Sequence, residues 1–188
     1  MSYTTIFKNK NISKKLKLRL KHTTIDKTLT YASETGTLTK TDRKKLKIFE
    51  RKAHRRILQP VYENEKENWR ILTNKEIYER VKKPTVIETV RLNRLRWFGH
   101  VQRMGETRIP KRVLYMNLGT TRMRCWPRNR WQDEVREDGR IDGGEGWQGK
   151  VHYREEWKKL LRKARNRRIL HVPMEQMNIQ CLLLSADF

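Results

Sequence analysis

Apolar positions in this chain recur at spacings of three and four, and capping and breaking residues divide them into short stretches, the signature of successive amphipathic helices. Ser13 is placed to N-cap a helix running to about Thr28, with Leu16, Leu20 and Thr24 on one stripe and Lys or Arg over the rest. After the turn-like Glu34-Thr35-Gly36-Thr37, a second helix is predicted from Thr41 or Asp42, with Leu46, Phe49, Ala53 and Ile57 inward and Pro60 ending it. Residues 61–72 read as a connector carrying Trp69. Thr73 with Glu76, and Thr85 with Glu88, have capping-box spacing. The first predicts a short helix with Ile77 and Val81 inward. The second opens the best helix of the chain, with Ile87, Val90, Leu95, Phe98 and Val101 on one face and Arg91, Arg94 and Arg103 pointing elsewhere, closed by Gly105.

Pro110 fits the first turn of a short helix over Lys111–Met116, and Trp131 and Val135 suit another from about Asn129 to Glu137, ended by Gly139. Gly143, Gly144, Gly146 and Gly149 then predict a flexible linker near 142–150. From His152 to about Leu170 a last long helix places Tyr153, Trp157, Leu160, Leu161 and Ala164 on one stripe, followed by a short apolar tail ending in Cys181-Leu182-Leu183-Leu184. No segment alternates over a strand length, and no internal repeat is present. The expected class is therefore all-α: several short to medium amphipathic helices in small subdomains. The segments are 1–60, 61–140, the linker 141–151, the helix 152–170 and a tail 171–188.

Composition sharpens this picture. The 188 residues include 45 Lys or Arg against 21 Asp or Glu, a formal net charge of +24, which asks for a polyanionic partner. The excess is uneven: residues 1–60 hold 17 basic and 4 acidic side chains. Leu, Ile, Val and Phe make up about 23% of the chain, only slightly above the roughly 20% below which chains stay disordered, so a modest core is expected. No apolar stretch approaches a membrane span, and the N-terminus runs into Lys8, Lys10, Lys14 and Lys15 without a signal-peptide core. An intracellular protein, nuclear or cytoplasmic and not secreted, is expected. Cys125 and Cys181 lack CxxC spacing, which argues for free thiols and against a zinc site.

Three sets of side chains are candidates for holding a phosphate backbone. Lys14, Lys15, Lys17, Arg19 and Lys21 make the first predicted helix strongly cationic. Arg94, Arg96 and Arg103, with Trp97 and His100, combine guanidinium groups with a ring on which a base can stack, although Trp97 also suits a core position beside Phe98. The segment Arg122-Met123-Arg124-Cys125-Trp126-Pro127-Arg128-Asn129-Arg130-Trp131 adds four more arginines and a second stacking candidate, Trp131, just before a predicted helix start. Its bland reading is a basic loop that binds any polyanion weakly. Catalytic patterns are scarce. Asp133, Glu134, Glu137 and Asp138 sit among arginines near a helix start, where carboxylates ordinarily offset charge. The five histidines are dispersed, and no phosphate loop, metal pair or cofactor motif is present.

The run Arg94-Leu95-Arg96-Trp97-Phe98-Gly99-His100-Val101-Gln102-Arg103-Met104, continuing through Arg108-Ile109-Pro110-Lys111-Arg112-Val113-Leu114, resembles the C-terminal segment of endonuclease-reverse transcriptases encoded by non-long-terminal-repeat retrotransposons. Tyr31-Ala32-Ser33-Glu34-Thr35, Leu38-Thr39-Lys40, Phe49-Glu50-Arg51-Lys52 and Arg55-Arg56-Ile57-Leu58 resemble the stretch that follows the polymerase palm in that family. Pro127-Arg128 with Arg130-Trp131 and Asp133 to Asp138 resembles its Arg-Pro-Arg-x-Arg-Trp segment, and Trp157 the tryptophan of its last helix. The likeness spans roughly residues 6–165 and implies a thumb-like and post-thumb region that handles RNA or DNA. The palm aspartates and the endonuclease are missing: no Asp-Asp pair occurs in the chain, so magnesium-dependent phosphoryl transfer has no obvious ligands and no enzyme activity is expected. Gly36 stands where the family usually has Trp, and Cys125-Trp126 where it usually has Gly-Arg, so a core tryptophan and a cation are expected to be missing. Such changes, and a Met1 falling inside the larger family domain, suit a truncated copy. Two alternatives follow: a decayed relic without a function of its own, or a domesticated adaptor binding a protein through the 152–170 stripe or the Leu182–Leu184 tail.

Overall fold

The computed structural model describes residues 3–64, 67–116 and 130–170. It is mostly helical: α1 (Tyr3–Lys8), α2 (Lys14–Leu20), a π-helical turn (Lys21–Ile25) running into α3 (Asp26–Thr30), α4 (Lys40–Leu58), α5 (Asn74–Val81), α6 (Val86–Gln102), α7 (Ile109–Tyr115), α8 (Trp131–Gly143), α9 (Trp147–Lys150) and α10 (Arg154–Leu170). The all-α class is what the spacing predicts. The helix starts follow from local chemistry. The Ser13 hydroxyl accepts from Leu16 N, and full capping boxes open α4 (Thr39 with Asp42), α5 (Thr73 with Glu76) and α6 (Thr85 with Glu88).

The connector expected at 61–72 contains an antiparallel hairpin instead, β1 (Val61–Glu63) against β2 (Asn68–Arg70), with Tyr62 opposite Trp69. Three-residue strands are too short for an alternating pattern to register in the sequence.

Helix α6 lies at the centre, packed against α3, α4, α7, α8 and α10. Its buried positions therefore surround the axis rather than line one stripe: Val86, Ile87, Val90, Leu92, Leu95, Gly99 and Val101, with Glu88 and Arg94 among them. Around its C-terminal half, Leu92 and Leu95 share a core with Val135, Trp147, Val151, Trp157, Leu161 and Ala164. A smaller core of Leu58, Leu72, Ile77 and Val81 joins α4 to α5, with Leu18 and Val61 against it.

The predicted flexible linker near 142–150 is a packed turn. Helix α8 continues through Gly139 to Gly143, Gly144 and Gly146 take positive φ (67° and 72°), and Trp147 and Val151 enter the larger core. Gly139 and Gly143 are needed for close approach: a Cβ at either would overlap the Trp147 side chain. The predicted stripe of α10 is used the same way. Trp157, Leu161 and Ala164 are buried against α6 and α8, while Tyr153 is exposed, so an adaptor face built on that stripe is already occupied by the chain itself. Gly36 is exposed and a Cβ there would meet nothing within 4 Å, so position 36 is a surface position and not a core one. Cys125, Cys181 and the Leu182–Leu184 tail lie outside the described residues.

Candidate nucleic-acid interface

The cations proposed from the sequence separate into those the fold keeps for itself and those it leaves in water. On α2, Lys14, Lys15 and Arg19 are exposed. Lys17 and Lys21, one turn apart and facing α4, are buried at 2% and 0% exposure, which removes them from the expected phosphate-contacting face. Leu16, expected inward, is exposed instead. For Lys21 a partner explains the burial: its Nζ donates to both Asp26 oxygens at 2.7 and 3.0 Å, and His22 Nδ1 lies 2.6 Å from Oδ2. Burial opposes ionisation of Asp26, but the hydrogen bonds from His22 and Lys21 outweigh it and hold the carboxyl below its ordinary value.

Helix α4 departs from its predicted face only in part: Ile57 is buried as predicted and Leu46 and Ala53 are half-buried, but Phe49 is exposed and Glu50 and His54 are buried. Glu50 accepts from Val86 N at 3.2 Å, so it also serves the start of α6. Burial pushes Glu50 up to about 7, against the attraction of Lys21. Burial, followed by the charge of Lys21, pushes His54 down to about 3.

Arg94 is the clearest departure among the predicted site residues. It is fully buried and donates to Glu134 at 2.5 Å, with Asp138 at 3.2 Å. Arg91 donates to Asp138 at 2.6 Å, and Arg43 from α4 reaches Glu134 at 2.5–2.7 Å. The acidic cluster of α8 thus binds three arginines of α4 and α6. Burial raises the Asp138 carboxyl, with Arg91 and Arg94 working against that rise. Arg103 is spent on structure too, donating to Val151 O at 2.7 Å. Arg96 is exposed, its guanidinium donating to Asn93 Oδ1 at 2.8 Å, and half-buried Trp97 leans against exposed His100 with ring centroids 5.6 Å apart.

Trp131 is not a free stacking platform. It packs on Phe98 beside the core and its Nε1 donates to Glu34 O at 2.7 Å, closing a contact across 97 residues of sequence. Arg130 is half-buried at the start of α8, its backbone N–H donating to Asp133. Arg122, Arg124 and Arg128 lie outside the described residues.

Among the described residues the exposed tryptophan is Trp69, on the segment expected to be a connector. It stands on β2, 65% exposed, and meets Tyr62 edge-on at 5.3 Å, while Trp97 and Trp131 are half-buried and Trp147 and Trp157 buried. Two short runs of strand-favouring residues around Glu63–Asn68 are the only sequence trace of this pair.

A convergence of charge emerges only in three dimensions. Lys27 of α3, Lys83 of the α5–α6 connector, Arg96 of α6 and Arg165 of α10 all line one half-open pocket of about 240 Å³. His22, Asp26, Thr30, Thr89 and Asn93 complete its polar side, with Val86, the first residue of α6, also in the wall. Among the described residues no group of three or more His, Cys, Asp or Glu could hold a metal ion, and no helix is long and apolar enough to cross a membrane. No protein-family model, curated protein or solved structure matches the chain.

Proposed function

We propose that this chain is a nucleic-acid-binding piece of a retrotransposon reverse transcriptase, one that holds RNA or DNA by its backbone and does no chemistry. The observation that carries this reading is a sorting of charge. Among the described residues Glu50, Glu88, Glu134, Asp138 and Asp142 are buried together with four cations, Lys17, Lys21, Arg94 and Lys111, while Lys14, Lys15, Lys27, Lys83, Arg19, Arg96 and Arg165 stay in water, so the fold withdraws a larger share of its acids than of its far more numerous bases. A cationic surface of this kind attracts a polyanion through counterion release, without sequence choice. The resemblance of Arg94–Met104 and its flanks to the post-palm region of those polymerases supplies the class of polyanion. Exposed Trp69, seated against Tyr62, offers a ring for an unpaired base.

The test is binding of a mixed-sequence single-stranded oligonucleotide across a salt series. Affinity is expected to fall linearly on logarithmic axes, with the triple variant Lys14→Gln, Lys15→Gln, Arg19→Gln binding more weakly and with a shallower slope. Binding indifferent to salt, or none at low salt, overturns the reading.

A further inference from the structure

We propose that the pocket between α3, the α5–α6 connector, α6 and α10 is a phosphate-binding site, which on the nucleic-acid reading above seats one phosphate of the bound strand. Four cations from four separate elements, Lys27, Lys83, Arg96 and Arg165, converge on it. Four positive groups around one small volume repel each other, and an anion between them relieves that repulsion.

The pocket's own carboxylate does not meet that need. Asp26, the one acidic residue of its lining, is engaged by Lys21 Nζ at 2.7 and 3.0 Å and by His22 Nδ1 at 2.6 Å. Lys21 is fully buried, so its charge is fixed beside Asp26 and cancels it. That pairing leaves Asp26 little charge with which to offset the lining cations.

Two further features suit a phosphate. Asn93 accepts from Arg96 Nη1 through Oδ1 at 2.8 Å, which holds the guanidinium at the pocket and leaves the amide N–H groups to donate. The pocket's volume of about 240 Å³ leaves room for a phosphate group.

The same chemistry is carried by a strand phosphate and by a free mononucleotide, and the experiment separates them. Wild type, the pocket variant Lys83→Gln/Arg165→Gln and the α2 variant Lys14→Gln/Lys15→Gln/Arg19→Gln are titrated with a mixed-sequence single-stranded oligonucleotide, AMP and inorganic phosphate. All the altered side chains are exposed, and thermal unfolding confirms that each variant folds. The expected result is a roughly tenfold weaker oligonucleotide affinity for the pocket variant at low salt, with its salt slope reduced by about 0.7 for each phosphate that the variant no longer neutralises. Pocket-variant affinity and slope equal to wild type, with the α2 variant impaired, overturns the pocket and leaves the nucleic-acid reading standing. AMP or phosphate binding that the pocket variant abolishes, in a protein that ignores the oligonucleotide, supports the pocket and overturns that reading. No binding of any of the three overturns both.

Discussion

Gly99 of α6 lies against the indole of Trp157 so closely that a Cβ at position 99 would overlap Nε1 and stand 2.6 Å from Cδ1. The two belong to different parts of the sequence likeness, the Arg94–Met104 run and the last helix, and their packing fixes α10 on α6. Gly99→Ala is expected to destabilise the protein by about 1–3 kcal/mol through overpacking. Urea unfolding of Gly99→Ala, Trp157→Leu and the pair checks it: the pair should cost less than the sum of the singles. An unchanged midpoint for Gly99→Ala would show that the two helices have room to spare here.

The buried ion pairs between α6 and α8 give a second expectation. Arg94→Met leaves Glu134 and Asp138 buried with one cation fewer, and a destabilisation of about 3–5 kcal/mol is expected. Adding Glu134→Gln should recover part of that stability, because the buried carboxylate that Arg94 shared with Arg43 is then gone and Arg43 is partly in water. A double variant as unstable as Arg94→Met alone would show that packing of the guanidinium, not its charge, matters.

Stability should depend on pH through Glu50 and His54 in opposite directions. Glu50 titrates at about 7 in the fold against 4.5 ordinarily, so the folded state binds the extra proton and stability falls as pH rises from 4.5 to 7. His54 titrates at about 3 against 6.5, so the unfolded chain binds the extra proton and stability falls as pH drops from 6.5 towards 3. Glu50→Gln keeps an acceptor for Val86 N and removes the first effect. Its thermal midpoint should exceed wild type at pH 8, by a stability gain on the order of 1–3 kcal/mol, and match it at pH 4.5. Equal midpoints at pH 8 would refute the assignment.

The bond from Trp131 to Glu34 O ties the Thr30–Lys40 turn to α8. Trp131→Phe keeps a ring against Phe98 and removes the donor, with an expected cost of about 1 kcal/mol. Hydrogen exchange should show faster opening of residues 31–38 in this variant, and unchanged exchange there would count against the tie.

Much of the chain's local organisation is legible without a structure, because a cap acts within one turn. Ser13, Thr73 and Thr85 announce their helices through hydroxyls that reach only three residues ahead. Which face of a helix turns inward is a different question. Periodicity sends Leu16 and Phe49 inside and Lys17, Lys21, Glu50 and Arg94 outside, and all six are placed the other way. The glycines at 139 and 143 mislead similarly: their composition suggests a break, whereas the bulk of Trp147 beside them requires the missing Cβ atoms.

The helical class, most helix starts and the size of the cationic excess are properties of the amino-acid order alone, since each depends on neighbours within a few residues or on a sum over all of them. Which cations meet solvent is settled by packing between distant segments. A charged side chain stays in water unless a partner makes its burial tolerable, and those partners come from elsewhere: Glu134 sits 40 residues from Arg94. The pocket of Lys27, Lys83, Arg96 and Arg165 spans most of the described chain and exists only because α10 folds back onto α6 beside α3.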